Sequence, residues 1–205
     1  MDSLLLPTLP TLADPALRTM FEARKRVFVD LLKWDVPVIA GRYEVDQFDT
    51  PEADYLVLVD ELGRHRASAR LLRTDRPHIL ADLFSHLCDG PIPSGSTTRE
   101  ITRFCLEPTL SRAERRNARN ELVTALAEYA LGCGITDYTG VASEAWFSQI
   151  AAFGWHCRAL GPLGGSCGAD LVALHIVIDE RTPSALAAAG IYRAPTCRLA
   201  AGGPK

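Results

Sequence analysis

The sequence predicts a mixed α/β domain with helices on both sides of one largely antiparallel sheet. Three observations carry that expectation. Segments of helical and of alternating apolar spacing follow one another as helix, hairpin, strand, long helix, strand, helix, strand, strand. A hairpin is legible over 53–72, where A-D-Y-L-V-L-V-D turns at E-L-G-R and returns as H-R-A-S-A-R-L-L. Ser111-Arg-Ala-Glu114 has the pattern of a capping box and opens a long helix. The chain has 205 residues, 47% hydrophobic and 23% charged, which suits one full core. A single domain over 1–205 is expected, with an irregular lead-in over 1–14 and a helix and tail over 181–205.

Taken in order, Leu17, Met20, Phe21, Val27, Phe28, Leu31 and Leu32 recur at helical spacing from about Pro15 to Lys33. Arg24 falls on the apolar side of that helix, where an arginine either snorkels or anchors something anionic. The stretch 34–49 carries Pro37 and Gly41, which break regular structure, and reads as a loop. It also carries Trp34, Tyr43 and Phe48 with three spaced acids, Glu44, Asp46 and Asp49, a composition that argues against disorder. After the hairpin, Ile79–Leu87 reads as a short helix and Arg99–Leu106 as a strand. The capping box then opens a helix from Ser111 to about Gly132. Thr136–Ala142, Trp155–Leu160 and Asp170–Ile178 read as strands, with helices over Glu144–Phe153 and Pro183–Ala189 and a Gly/Pro tail.

The strand R-E-I-T-R-F-C-L organises the rest. Alternation puts Glu100, Thr102 and Phe104 on one face and Ile101, Arg103 and Cys105 on the other. Buried charges cost several kcal/mol unless paired, so this is either an edge strand with solvated charges or a strand whose partners come from elsewhere.

The net charge of −3 gives no overall attraction to nucleic acid or anionic membrane, and neither is an expected partner. No apolar run reaches membrane-spanning length, and the apolar patch near the N-terminus follows an acid rather than basic residues, so a secretion signal is not expected. The six cysteines (88, 105, 133, 157, 167 and 197) have no C-x-x-C spacing. They read as incidental thiols of a cytoplasmic protein, with no metal site.

One combination of residues goes further. Arg24, Phe28, Trp34, Glu44-x-Asp46-x-x-Asp49, Arg70-Leu71 and Glu100-x-x-Arg103-Phe104 resemble, in order and spacing, the signature of the acyl-homoserine-lactone synthases, the autoinducer synthases of quorum sensing. The later segment G-W-H-C-R-A-L-G-P resembles a family pattern too, and the resemblance covers about residues 16–180. It implies a GNAT-like three-layer fold. It also implies transfer of an acyl group, from acyl carrier protein or acyl-CoA, to the amine of S-adenosylmethionine. Lactonisation follows, with release of methylthioadenosine. S-adenosylmethionine is then a cosubstrate, with no other cofactor, and the protein a monomer or weak dimer.

Under that resemblance each residue acquires an expected role. Glu100, directly or through a water, is the base for the amine. Arg103, Phe104 and Cys105 belong to the catalytic strand, where a bulge frees backbone N–H groups for the oxyanion. Arg24 anchors the substrate carboxylate, and Phe28 and Trp34 cover the adenine or sulfonium. Glu44, Asp46 and Asp49 hold the amine or pair with Arg70 and Arg103. A purely structural ion network is the other reading of these charges. Val141, Ser143, Trp146, Phe147 and Ile150 are expected walls of the acyl pocket, although Ser143 before Glu144 reads better as a helix cap. Arg112, Arg115, Arg116 and Arg119 are expected to dock an acidic carrier, and the alternatives are CoA phosphates or a solvated helix face. The glycine-rich pyrophosphate turn of common acetyl-CoA transferases is missing from Arg115–Asn120. An N-acyltransferase acting on another amine with acyl-CoA, and a non-catalytic ligand-binding relative, are the competing readings.

Overall fold

The computed structural model describes residues 13–163, 170–194 and 198–202; the lead-in over 1–12 and the thiols of Cys167 and Cys197 lie outside the described residues. Helix α1 (Pro15–Arg24) starts where Asp14 accepts from the Ala16 N–H at 2.8 Å and Pro15 needs no helical partner. It does not run on as an α-helix to Lys33. Over Lys25–Leu31 it widens into a π-helix, and the Trp34 N–H donates to the Phe28 carbonyl at 2.8 Å. Nothing in K-R-V-F-V-D-L marks that change, which depends on tertiary contacts and recurs at functional sites.

The expected loop over 34–49 contains a small hairpin, β1 (Val38–Ile39) with β2 (Tyr43–Glu44). Its turn places Ala40 and Gly41 at φ of 52° and 65°, the doubly left-handed geometry of a type I′ turn. Gly41 signals such a turn, whereas Ala40 hides it.

The main sheet has seven strands in the order β7-β8-β6-β5-β4-β3-β9: β3 (Asp54–Val59), β4 (His65–Arg73), β5 (Thr98–Leu106), β6 (Asp137–Ser143), β7 (His156–Ala159), β8 (Leu171–Val177) and β9 (Arg198–Gly202). β9 pairs antiparallel with β3, where the sequence suggests only a tail. Every pairing is antiparallel except β5 with β6, as expected for the GNAT-like arrangement. These two strands stay in register only over Thr98–Ile101 and Asp137–Gly140 and then part. Gly140 sits at the parting point, and a Cβ there would lie 3.1 Å from the Ile101 carbonyl oxygen, so glycine allows the close approach.

Two layers cover the sheet. α3 (Arg112–Cys133), α4 (Glu144–Ala151) and α5 (Thr182–Ala188) pack on one face over Leu56, Leu58, Ala67, Ala69, Leu71, Tyr138 and Leu174. The capping box at Ser111 and Glu114 forms as expected, and Gly134 closes α3 in the left-handed conformation. α1 and its π-helical extension cover the other face over Tyr55, Val57, Val59 and Leu72. The short α2 (Ile79–Leu83) and a 3₁₀ turn (Ser85–Leu87) continue that layer onto β5, β6 and β8. Among the described residues no helix is long and apolar enough to cross a membrane.

Candidate active site

The expected alternation along β5 fails at one place. Ser68 pairs with Cys105 and Arg70 with Thr102, so Arg103 and Phe104 together oppose the single Ala69, and Arg103 takes φ of 51°. This bulge turns Arg103 and Cys105 to the α1 face, beside Glu100 and Thr102, and leaves Ile101 and Phe104 packed toward α3. A plain period of two had put Phe104 with Glu100 and Arg103 opposite.

The bulge completes a buried ion network. Arg24, fully buried, donates from Nε to Glu44 at 2.5 Å and from both terminal nitrogens to Asp49 at 2.8 Å. Arg70 donates to both oxygens of Asp46 (2.6 and 3.0 Å), lies 2.7 Å from Asp49, and donates from Nε to the Thr102 hydroxyl at 2.9 Å. Arg103 reaches Glu44 at 2.9 Å and Asp46 at 2.7 Å. Asp49 also accepts from the Tyr55 hydroxyl at 2.9 Å and the Asp46 N–H at 2.8 Å. Burial alone would raise the Asp49 pKa, but Arg24 and Arg70 outweigh it and hold the carboxyl well below its ordinary range. Three arginines thus meet three acids, and the partners that the strand reading demanded come from the stretch 44–49.

This geometry corrects the role expected of Arg24. Its donors face Glu44 and Asp49 inside the protein, so it fixes the acidic loop to α1 instead of anchoring a substrate carboxylate. Arg103, with 11% of its side chain exposed, is the network arginine that reaches solvent. Phe28 is likewise enclosed: it stacks on Trp34 with centroids 4.7 Å apart, and the Arg103 guanidinium lies 5.5 Å from its ring centre. The open aromatic surface belongs to Trp34, 45% exposed, with the same guanidinium 5.7 Å from its ring.

Glu100 stands apart from the ion network. It is fully buried, one carboxylate oxygen accepts the Leu80 N–H at 3.0 Å, and the other makes no hydrogen bond among the described residues. Burial pushes its pKa up to about 7, against the opposing pull of the Leu80 and Ile79 N–H groups and of Arg70. A carboxylate held near neutrality is suited to taking a proton from an amine. Cys105 is fully buried and its thiol is pushed up to about 12 by that burial, so its side chain is no nucleophile.

On the α3 face, Phe104 packs against Trp146 (5.5 Å between centroids) and Trp146 against Phe153 (5.8 Å). Ile150 and Phe147 belong to the same cluster. Val141 does not: Tyr138 and Ala142 of β6 point into this core, so Val141 lies on the opposite face. Ser143 is exposed and its hydroxyl accepts the Trp146 N–H at 3.3 Å, which makes it the cap of α4 and not a pocket wall. Of the basic cluster, Arg112 and Arg116 are exposed, Arg115 donates to the Pro108 carbonyl at 2.9 Å, and Arg119 lies over the Phe153 ring.

Sequence reasoning passed over Tyr55, Thr102 and the amides of Ile79 and Leu80. A hydroxyl in the apolar strand A-D-Y-L-V-L-V-D needs a buried partner, and that was the available signal for Tyr55. The amides carry no sequence signal. A cavity of about 430 Å³ beside Arg26, His65 and Glu107 is lined by none of the candidate residues.

A family model described as autoinducer synthase matches residues 10–185. The acyl-homoserine-lactone synthase of Ralstonia nicotianae is 31% identical over 194 residues, covering 91% of this chain and 93% of its own. Among solved structures, TofI in a ternary complex with an inhibitor and MTA superposes with a TM-score of 0.71 at 28% identity, covering 83% of this chain and 88% of its own. MesI, a CoA-dependent acyl-homoserine lactone synthase, superposes with a TM-score of 0.76 at 26% identity, covering 87% and 90%.

Proposed function

The chain belongs to the autoinducer synthase family, and from that premise we propose that Glu100, Arg103 and Trp34 form the site where S-adenosylmethionine is acylated and closed to a lactone. The activity is that of an acyl-homoserine-lactone synthase: an acyl group passes to the amine of S-adenosylmethionine, and methylthioadenosine leaves. The buried Glu100 carboxylate, raised to about 7 and with one oxygen unbonded, is the observation that carries our assignment of residues.

The substrate amine arrives as an ammonium and gives one proton to Glu100. Its lone pair then attacks the thioester carbonyl. Backbone N–H groups at the Arg103–Phe104 bulge, displaced from the regular ladder, steady the oxyanion. As the tetrahedral species collapses, the carbon–sulfur bond breaks and the second amine proton leaves with the thiolate. The methionine carboxylate, held by Arg103, then attacks its own γ-carbon and expels the neutral sulfide of methylthioadenosine. Trp34 offers its open face to the sulfonium or adenine. Arg24, Arg70, Glu44, Asp46 and Asp49 hold Arg103 in place. The acyl tail follows the parting of β5 and β6 toward Phe104, Trp146, Phe147 and Ile150.

For the donor we favour an acyl carrier protein. Arg112 and Arg116 are exposed in the opening turns of α3, where cations oppose the helix dipole, and an acidic partner would suit them. We place the reaction in the cytoplasm, as a single domain acting as a monomer or weak dimer, with S-adenosylmethionine as cosubstrate and no further cofactor. Glu100→Gln is expected to lower kcat by about 10²–10⁴-fold with an unchanged fold. Activity of the native chain should rise with pH to a plateau above about 7. Mass spectrometry of an N-acyl-homoserine lactone and of methylthioadenosine reads both. A variant that still makes lactone at the native rate removes Glu100 from the chemistry.

A further inference from the structure

Three buried polar atoms that form no hydrogen bond among the described residues lie in one row across the sheet: Glu100 Oε2, Thr139 Oγ1 and His175 Nδ1. Glu100 faces Thr139 in the β5–β6 pairing, and Thr139 faces His175 in the β6–β8 pairing. All three side chains stand on the same face. Their chain neighbours Ile101, Tyr138, Leu174 and Ile176 point into the core under α3, so these three point the other way. Adjacent strands lie about 4.8 Å apart, which sets such neighbours within one hydrogen bond or one bridging water of each other. Leaving one buried polar atom unbonded costs about 1–3 kcal/mol, so three in register call for an explanation.

The row also has a direction. Glu100 and Thr139 are fully buried, whereas His175 Nε2 is bonded at 2.7 Å to Asp137 Oδ1, on a side chain that is 28% exposed. Glu100 must discharge a proton once per turnover and has no contact with water of its own. We propose that Thr139 and His175 carry that proton from Glu100 to Asp137 and the solvent. Protonated Oε2 gives its proton to the Thr139 oxygen, directly or through a water. The Thr139 hydroxyl gives its own proton to His175 Nδ1. The Nε2 proton passes to Asp137 and on to bulk water, and the ring's return to its starting tautomer closes the cycle. Charged and titratable groups near the row are Arg70 from β4, Asp82 from α2, His78 at the N-cap position before it, His86 on the 3₁₀ turn packed against β8, and Arg158, opposite His175 on β7. Thr139 and His175 are positioning residues on this account, and the inference rests on Glu100 being the base.

The test compares native protein with Thr139→Val, Thr139→Ser, His175→Gln and Glu100→Gln. The expected result is a roughly tenfold fall in kcat for Thr139→Val and His175→Gln near pH 7, with the KM for S-adenosylmethionine unchanged. The solvent deuterium isotope effect should grow. Thr139→Ser, which keeps a hydroxyl, should retain the native rate, and added imidazole should speed the two slow variants. If Thr139→Val and His175→Gln keep the native kcat and isotope effect while Glu100→Gln is inactive, the relay is wrong and the base stands. A native rate in Glu100→Gln removes both. Thermal melts run alongside: an idle, unbonded hydroxyl predicts that Thr139→Val melts higher at native kcat, which also overturns the relay.

Discussion

On the α3 side of β4, Ala67, Ala69 and Leu71 join the apolar core; on the α1 side of the same strand, Ser68 meets the His65 imidazole and Arg70 meets a hydroxyl and carboxylates. β5 divides the same way, with Ile101, Phe104 and Leu106 toward α3 and Glu100, Thr102 and Arg103 toward α1. One face therefore supplies burial, at roughly 25 cal/mol per Å² of apolar surface, while the other desolvates charges whose mutual attraction barely repays that cost. A fold needing only stability would make both faces apolar. The charged face makes sense as a pre-organised site whose dipoles are fixed before substrate arrives.

The sharpest way to break this comparison is to damage each face once. Arg24→Ala leaves the buried Glu44 and Asp49 with one guanidinium each, Arg103 and Arg70, in place of two, and should cost about 3–5 kcal/mol. Leu126→Ala, at a fully buried position on α3, should cost about 2–5 kcal/mol through a cavity. Their pH dependence separates them. The stabilisation from Asp49 is present above its ordinary value of 3.8 and lost as pH falls, because pairing depresses its folded pKa. In Arg24→Ala the stranded acids gain relief by protonation, so its deficit should shrink toward pH 4. The Leu126→Ala deficit should stay constant. Chemical denaturation at pH 4.5, 6 and 8 measures both; parallel curves would mean that the network is electrostatically idle.

Glu100 should show the opposite slope. Its folded pKa is raised, from 4.5 to about 7. Below pH 4.5 it is neutral in both the folded and the unfolded chain. Above about 7 it is ionised in both, and the folded chain bears the full cost of a buried charge. Stability from this group therefore falls as pH rises through that window, by up to about 3 kcal/mol. Glu100→Gln should flatten that segment of the curve, read from melting temperature against pH between 4.5 and 8. An unchanged slope would place Glu100 in contact with water.

What was legible in the sequence followed the same division. The hydrocarbon face announced itself, because the apolar run and hairpin turn of β3 and β4 and the capping box of α3 are local signals. The identities of the site residues were legible as a spaced set, but their partners were not. Which acid meets Arg24 is decided by the turn at Ala40–Gly41 and by the bulge at Arg103, and neither Ala40 nor Arg103 is a residue type that a positive φ favours. Val141 departs from its expected place as a pocket wall because β6 alternates regularly: Tyr138 and Ala142 enter the core under α3, so Val141 lies on the other face. β9 was invisible because R-L-A-A-G lacks the β-branched and aromatic residues of a strand, and it forms by pairing with β3.

The smallest expected effect tests whether the division between stability and use extends to the surface of α3. Arg112 occupies the first helical position after the Ser111 cap, where a cation opposes the helix dipole, and Arg116 adds to the burial that already lowers the Arg119 pKa. A double change, Arg112→Glu and Arg116→Glu, should raise stability by about 0.3–1 kcal/mol, a gain of one to a few degrees in Tm for a chain of this size. The same change should raise the KM for an acyl-carrier substrate severalfold and leave kcat at saturation near native, because these side chains touch neither Glu100 nor Arg103. A higher Tm at unchanged KM would show a solvated helix face and shift the donor question toward acyl-CoA. A lower Tm would mean that the arginines serve α3 after all.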